Sequence, residues 1–186
     1  MNLNEFESVC AGIRKSRKDK INKTCIIVSS GTCGIAKGSL AVVDALQEAL
    51  KKNNLDKKVD LRVTGCHGFC QVEPIVIIHP ENIFYQNVKP EDAEEIISET
   101  IVNKKIVERL LYVDSPKTGK RIKHVKDIPF YKKQTRNLLA NNILVDPLKI
   151  EDYIGIGGYS ALCKVLRTMS PEDVIEIVKK SGLRGR

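Results

Sequence analysis

Apolar positions in this chain fall into short clusters whose spacing switches between two periods. Phe6, Val9, Cys10 and Ile13 recur at helical spacing ahead of RKSRKDK, which predicts a surface helix over 3–19. Thr24–Ser30, TCIIVSS, is a continuous apolar run of strand length, and Gly31-Thr32-Cys33-Gly34 predicts a tight turn after it. Leu40, Val43, Leu46 and Leu50 form the stripe of a helix over 37–53. Val59, Leu61 and Val63 alternate with Asp60 and Arg62, the period of a half-exposed strand. After the glycine-containing loop 64–70 come two short buried runs, 75–78 and 83–86. Pro90 falls at the first turn of a further helix, with Glu91, Asp92, Glu94 and Glu95 near its positive end and Ile96, Ile97 and Ile101 facing a core.

The second part, 113–186, reads differently. A basic stretch is followed by two helical pieces over 150–168 broken at Gly155-Ile156-Gly157-Gly158. Ser170-Pro171-Glu172-Asp173 then marks a helix start with a capping box, and Gly182 its stop. These helices have no sheet of their own. They are expected to form an incomplete segment rather than a domain. The predicted organisation is therefore an N-terminal helix (1–21), an α/β domain (22–112), and a basic connector with a helical lead-in (113–186).

Charge sharpens the division. Of the net +8, residues 1–112 hold 16 basic and 15 acidic groups and 113–186 hold 15 and 8. The excess lies in 117–136, KTGKRIKHVKDIPFYKKQTR, which has few aromatics and matches no nucleic-acid motif, so a solvated connector or a docking strip for an acidic partner subunit is expected, not a nucleic-acid site. No apolar run approaches the ~20 residues a membrane helix needs. The opening MNLNEFESVC lacks a basic leader followed by an apolar stretch, and a cytosolic location is expected.

Six cysteines in such a chain point to metal or redox chemistry only where they cluster. Cys10 and Cys163 sit on apolar helix faces and are expected to fill the core. Cys33, Cys66 and Cys70 each follow a strand in a glycine-containing loop, GTCG and TGCHGFC. Loops after neighbouring strands meet at one sheet edge, and thiolates are the ligands of iron–sulfur clusters. His67 is expected to be a partly exposed loop residue, and Glu73 a loop charge or a partner of the 66–70 loop. Cys33 at a helix N-terminus also admits a thiol-redox reading, although no Cys-x-x-Cys is present.

The order strand, helix, strand, strand, helix over 22–112 is that of a thioredoxin-like domain, a small mixed sheet with flanking helices. Such folds place a cis-proline before the first hairpin strand, which predicts a cis bond at Glu73–Pro74. GTCGIAKGS, TGCHGFCQVEPIV and P-E-N-I-F-Y-x-N-V-x-P-E-D together resemble the thioredoxin-like [2Fe–2S] ferredoxin domain of NADH dehydrogenases, electron-bifurcating iron hydrogenases and related NAD-linked enzymes. The second half, from I-E-D-Y-I-x-x-G-G-Y to V-K-x-S-G-L-R-G-R, resembles the lead-in of the flavoprotein subunit to which that domain is fused.

The resemblance implies electron transfer between NAD(P)H, flavin and iron–sulfur partners. It implies Cys33, Cys66 and Cys70 as metal ligands, and Gly185 and Arg186 as the first residues of the FMN loop. FMN and NAD(H) belong to the full-length family, with most of their sites expected downstream, so this chain alone is expected not to oxidise NADH. The implied partners are other subunits of an NADH dehydrogenase, bifurcating hydrogenase or formate dehydrogenase complex. One position departs from the family: its first cysteine pair is Cys-x4-Cys, and five residues before Cys33 stands Val28. The fourth ligand is open between Cys25, Ser29 and none at all. With none, the domain would be a cluster-free docking module in the same complex.

Overall fold

The computed structural model describes residues 2–19, 23–115 and 119–185. Helix α1 spans Leu3–Asp19, β1 Cys25–Ser29, α2 Thr32–Ala36, α3 Ser39–Lys52, β2 Asp60–Thr64, β3 Val76–His79 and β4 Ile83–Tyr85. A composite helix follows: a 3-10 turn (Pro90–Asp92), an α-helical turn, α4 (Ala93–Glu95), and a π-helical stretch (Ile96–Val102). The second half holds β5 (Tyr112–Val113), β6 (Arg121–Ile122), α5 (Pro129–Lys132), α6 (Ile150–Gly155), α7 (Ser160–Thr168) and α8 (Pro171–Ser181).

The main sheet has the order β2-β1-β3-β4. β1 and β2 run parallel, joined by the α2–α3 crossover, while β3 pairs antiparallel with both β1 and β4. Strand alternation sorts the side chains into two cores. Ile26, Val28, Val76, Ile78, Ile83 and Tyr85 meet α3 and the composite helix on one face. Cys25, Ile27, Ile75, Ile77 and Phe84 meet Phe69, Val72, Ile122, Ile128 and Tyr131 on the other. Both bonds Glu73–Pro74 and His79–Pro80 are cis, the first as expected.

The second face overturns one expectation. The stretch 119–136 is not a solvated connector. It supplies β6, which pairs antiparallel with β5, and α5, and buries Ile122, Ile128 and Tyr131 against the sheet. The expected boundary at 112/113 therefore falls inside a shared core. Residues 117 and 118 of the basic stretch lie outside the described residues.

The helical tail matches its sequence signals. The Ser170 hydroxyl accepts from Asp173 N–H and the Asp173 carboxylate accepts from Ser170 N–H, closing the capping box, and Gly182 ends α8 at φ 66°. α1 docks on α6, where Arg14 donates to the Ile154 carbonyl at 3.3 Å and Arg17 to Asp152 at 3.2 Å. Cys10 and Cys163 are buried apolar residues, as expected. No helix among the described residues is long and apolar enough to cross a membrane.

Candidate iron–sulfur site

The three loop cysteines meet because β1 and β2 are parallel and end together. Ser29 pairs with Thr64 in the last register position, and Ser30 N–H donates to the Thr64 carbonyl at 2.8 Å. The chain leaving β1 at Gly31 thus lies directly against the chain leaving β2 at Cys66. A Cβ at Gly31 would stand 2.7 Å from Cys66 Cβ and 3.0 Å from its Cα and N. Only glycine permits that approach. The expected tight turn is a short helix, α2, with Cys33 exposed in its first turn.

The Cys70 thiol lies close enough to those of Cys33 and Cys66 for each to act on its ionisation, so the three sulfurs form one group. The neighbouring Cys33 thiol, together with some desolvation, holds Cys70 above the ordinary thiol range. Burial does the same for Cys66, opposed by a hydrogen bond of 3.2 Å from Gly68 N–H to its sulfur. Lys37, at the end of α2, donates to the carbonyls of Cys70 (3.0 Å) and Gln71 (2.9 Å), tying the two loops together.

The two candidates for a fourth ligand sit elsewhere. Cys25 lies four residues before Ser29, roughly 13 Å along β1 at the strand rise. Its thiol faces Asp60 at 3.6 Å, and burial pushes its pKa up to about 12. Ser29 is at the right end of the strand, but it is fully buried and donates to Glu73 Oε1 at 2.5 Å. Val28 points into the first core. Gly185 is exposed in the chain after α8, away from any such contact, and Arg186 lies outside the described residues.

Two neighbours differ from expectation. Glu73 is not a loop charge: it is 2% exposed, accepts from Ser29 and from Ile75 N–H (3.0 Å), and burial holds its pKa above the usual carboxylate range. His67 is not partly exposed: it is 1% exposed, and burial, with the Arg136 charge, lowers its pKa to about 4. Its imidazole is neutral at physiological pH. Thr64 Oγ1 donates to the Val28 carbonyl at 3.2 Å, so at 2.7 Å it accepts from His67 Nε2–H. The remaining nitrogen, Nδ1, is an acceptor with no partner among the described residues.

Sequence reasoning missed the cover of the 66–70 loop. Arg136 donates to the His67 carbonyl at 2.7 Å and Asn142 to the Cys66 carbonyl at 2.9 Å. Phe130 stacks on Phe69 with ring centroids 4.0 Å apart, and Tyr131 meets Phe69 edge-on at 5.8 Å. The available signal was the aromatic pair Phe130-Tyr131 inside an otherwise basic stretch.

Residues 14–101 match the family of thioredoxin-like [2Fe–2S] ferredoxins. A 2Fe-2S ferredoxin of Clostridium pasteurianum is 39% identical over 75 residues, 40% of this chain and 74% of that protein. The chain belongs to the thioredoxin-like [2Fe–2S] ferredoxin family. Two further relatives are parts of larger proteins. The NADP-reducing hydrogenase subunit HndC of Solidesulfovibrio fructosivorans is 53% identical over 55 residues, 30% of this chain and 11% of that protein. An NADH-quinone oxidoreductase subunit of Buchnera aphidicola subsp. Schizaphis graminum is 54% identical over 37 residues, 20% of this chain and 8% of that protein. The chain spans a small part of the length of either.

The thiols of Cys33, Cys66 and Cys70 converge and are of the kind that holds an iron–sulfur cluster, but among the described residues no fourth cysteine joins them. Among the described residues no three Cys, His, Asp or Glu side chains are spaced to grip a single metal ion. A [2Fe–2S] cluster instead distributes its ligands over two irons.

Proposed function

We propose that this chain is the ferredoxin-domain part of an NAD(P)H-oxidising flavoprotein/iron–sulfur subunit, carrying electrons between flavin and iron–sulfur partners. The observation that supports this reading is the convergence of Cys33, Cys66 and Cys70 where β1 and β2 end, with Gly31 packed against Cys66. Those three thiolates would hold a [2Fe–2S] cluster, which when bound supplies storage for one electron. Ser29 is the better fourth ligand of the two candidates because it shares their end of the sheet. To ligate, its hydroxyl would leave Glu73.

The protein's own residues then have distinct tasks. Lys37 fixes the spacing of the two loops through the Cys70 and Gln71 carbonyls. Phe69, Phe130 and Tyr131 exclude water from one side. Cys33, exposed, marks the edge where an electron enters or leaves. Gly185 and Arg186 are read as the first residues of an FMN-phosphate loop. Other subunits of an NADH dehydrogenase, hydrogenase or formate dehydrogenase complex are the proposed partners, with FMN and NAD(H) bound in the complete flavoprotein.

The test is anaerobic reconstitution of the full chain with iron and sulfide, read by iron content and the EPR spectrum of the reduced protein. A [2Fe–2S] signal lost in Cys33→Ala and Cys66→Ala, and strengthened in Ser29→Cys, supports the reading. A second reading, a cluster-free docking module, is favoured by Val28 buried where the family has a cysteine and by Ser29 committed to Glu73. Folded protein that retains no iron, in wild type and in Ser29→Cys alike, decides for the module.

A further inference from the structure

Three segments surround the loop thiols: 30–43, 64–72 and 128–145. Contacts described above make them one surface. Gly31 lies against Cys66, Lys37 bonds the carbonyls of Cys70 and Gln71, and Arg136 and Asn142 hold those of His67 and Cys66. The chain has 23 Asp and Glu residues, yet none falls in these three segments. Of the acids that flank them in sequence, Glu73 and Asp146 are buried, and Asp146 is paired with Lys149. Asp44 and Asp127 are exposed just outside. The same segments carry Lys37, Lys132, Lys133 and Arg136. Among the described residues none of these four cations is in an ion pair. Their charge is uncompensated.

Apolar side chains lie within this charged surface. Leu139 packs toward Gly68, where a Cβ would meet its Cδ1 at 3.1 Å, and Leu138 beside it is 93% exposed. Ile35, two residues past Cys33 in α2, is 49% exposed. A small apolar centre with a charged rim is the make-up of a protein interface, and electron-transfer encounters sit at its low end, below about 1,200 Å². A second copy of this chain does not fit, since it brings a net charge of +8 and the same four cations. Nucleic acid would answer the charge, but the rings that would stack on its bases are engaged inward: Phe130 lies on Phe69, and Tyr131 is buried. A protein surface with carboxylates around a small apolar centre answers both features.

We propose that this face, with the exposed Cys33 edge within it, docks the acidic surface of an electron-transfer protein. That the partner transfers electrons rests on the proposed function above; the docking itself needs no iron. The four cations steer the approach, and Leu138 and Ile35 supply the dry contact once the surfaces meet.

The test adds flavodoxin, an acidic flavoprotein, to the full metal-free chain at low ionic strength and follows the amide NMR signals of the chain. Shifts should concentrate on 33–37, 68–70 and 132–139. Lys132→Glu combined with Lys133→Glu should weaken binding by about tenfold or more. The same reversals at Lys57 and Lys58, exposed before the opposite end of β2, should weaken it by less than about threefold. Leu138→Ser should weaken it several-fold with the net charge unchanged. Raising the ionic strength from about 0.01 to about 0.15 M shortens the Debye length from about 30 to about 8 Å and should weaken it strongly. If the Glu variant at 132 and 133 fails to fold, Lys132→Gln with Lys133→Gln replaces it, with a several-fold loss expected. No binding, shifts scattered over the whole surface, or equal losses from the two pairs of reversals overturns the proposal. Tighter binding of a DNA duplex or of phosphatidylserine vesicles to the same residues overturns it as well, as does dimerisation of the chain through this face. Repeating the measurement after reconstitution with iron and sulfide separates the two readings. A chain that retains no iron but docks as described sinks only the cluster, and an iron-loaded chain that does not dock sinks only the docking face.

Discussion

At the scale of single residues, the site depends on close approaches that side-chain chemistry alone does not reveal. Gly31 is the clearest. The atoms a Cβ would meet are mainly the backbone of Cys66, which cannot rotate away. Gly31→Ala should therefore cost about 1–3 kcal/mol in urea unfolding and lower iron retention in the same sample. Normal stability would show that the two loops can part without loss. Glu73 carries a prediction of the opposite kind. Burial raises its folded pKa above the ordinary 4.5, so the folded state binds that proton more readily than the unfolded chain. Its contribution is then most favourable below the ordinary value and is lost as pH rises through the folded value. Wild type should gain stability relative to Glu73→Gln as pH falls from neutral towards that range, and a slope of the other sign would contradict the burial of its charge. The three cysteines were legible as a group because each stands in a glycine-containing loop after a strand. The burial of His67 and Glu73 was not, because nothing in TGCHGFCQVEP shows that residues from 70 positions further on will cover the loop.

At the scale of elements, the strands and helices of 25–102 follow the hydrophobic period closely. The exceptions have physical reasons. The turn after β1 closes into α2 because Gly31 and Gly34 let the chain coil tightly beside Ser29 and Cys66. β5 and β6 are two residues each, too short for any period to show, and β6 stands between Lys120 and Lys123. The same stretch supplies the clasp over the cysteine loop. Arg136 and Asn142 hold the carbonyls of His67 and Cys66, each bond worth about 0.5–1.5 kcal/mol, and Arg136 adds its contact with the Tyr131 ring. The double variant Arg136→Ala, Asn142→Ala should raise amide exchange across 66–69 by about tenfold or more and speed alkylation of Cys66. Unchanged exchange would mean that the aromatic stack of Phe69 and Phe130 holds the loop without them.

At the scale of the whole molecule, the sequence suggested a ferredoxin domain that stops near 112 and a separate lead-in. The fold joins them. Charge composition drew the eye to the basic side chains of 119–136, while the residues that decide its structure are the sparse apolar ones between them. Ile122, Ile128 and Tyr131 complete the core on the second face of the sheet, beside Ile75, Ile77 and Phe84. Burying a side chain of that size stabilises by about 1.5–3 kcal/mol. Three of them account for a large share of the roughly 5–15 kcal/mol that holds a domain folded. A fragment of residues 1–112 would also expose Phe69, Phe84 and the apolar half of β3. It should unfold at much lower urea than a fragment of residues 1–145, bind a hydrophobic dye, and retain less iron after reconstitution. If the two fragments unfold at the same urea concentration, the second core contributes nothing and the boundary belongs at 112 after all. If they differ as expected, the electron-transfer unit includes the basic stretch, and any charge it offers a partner is held in place directly beside the cysteines.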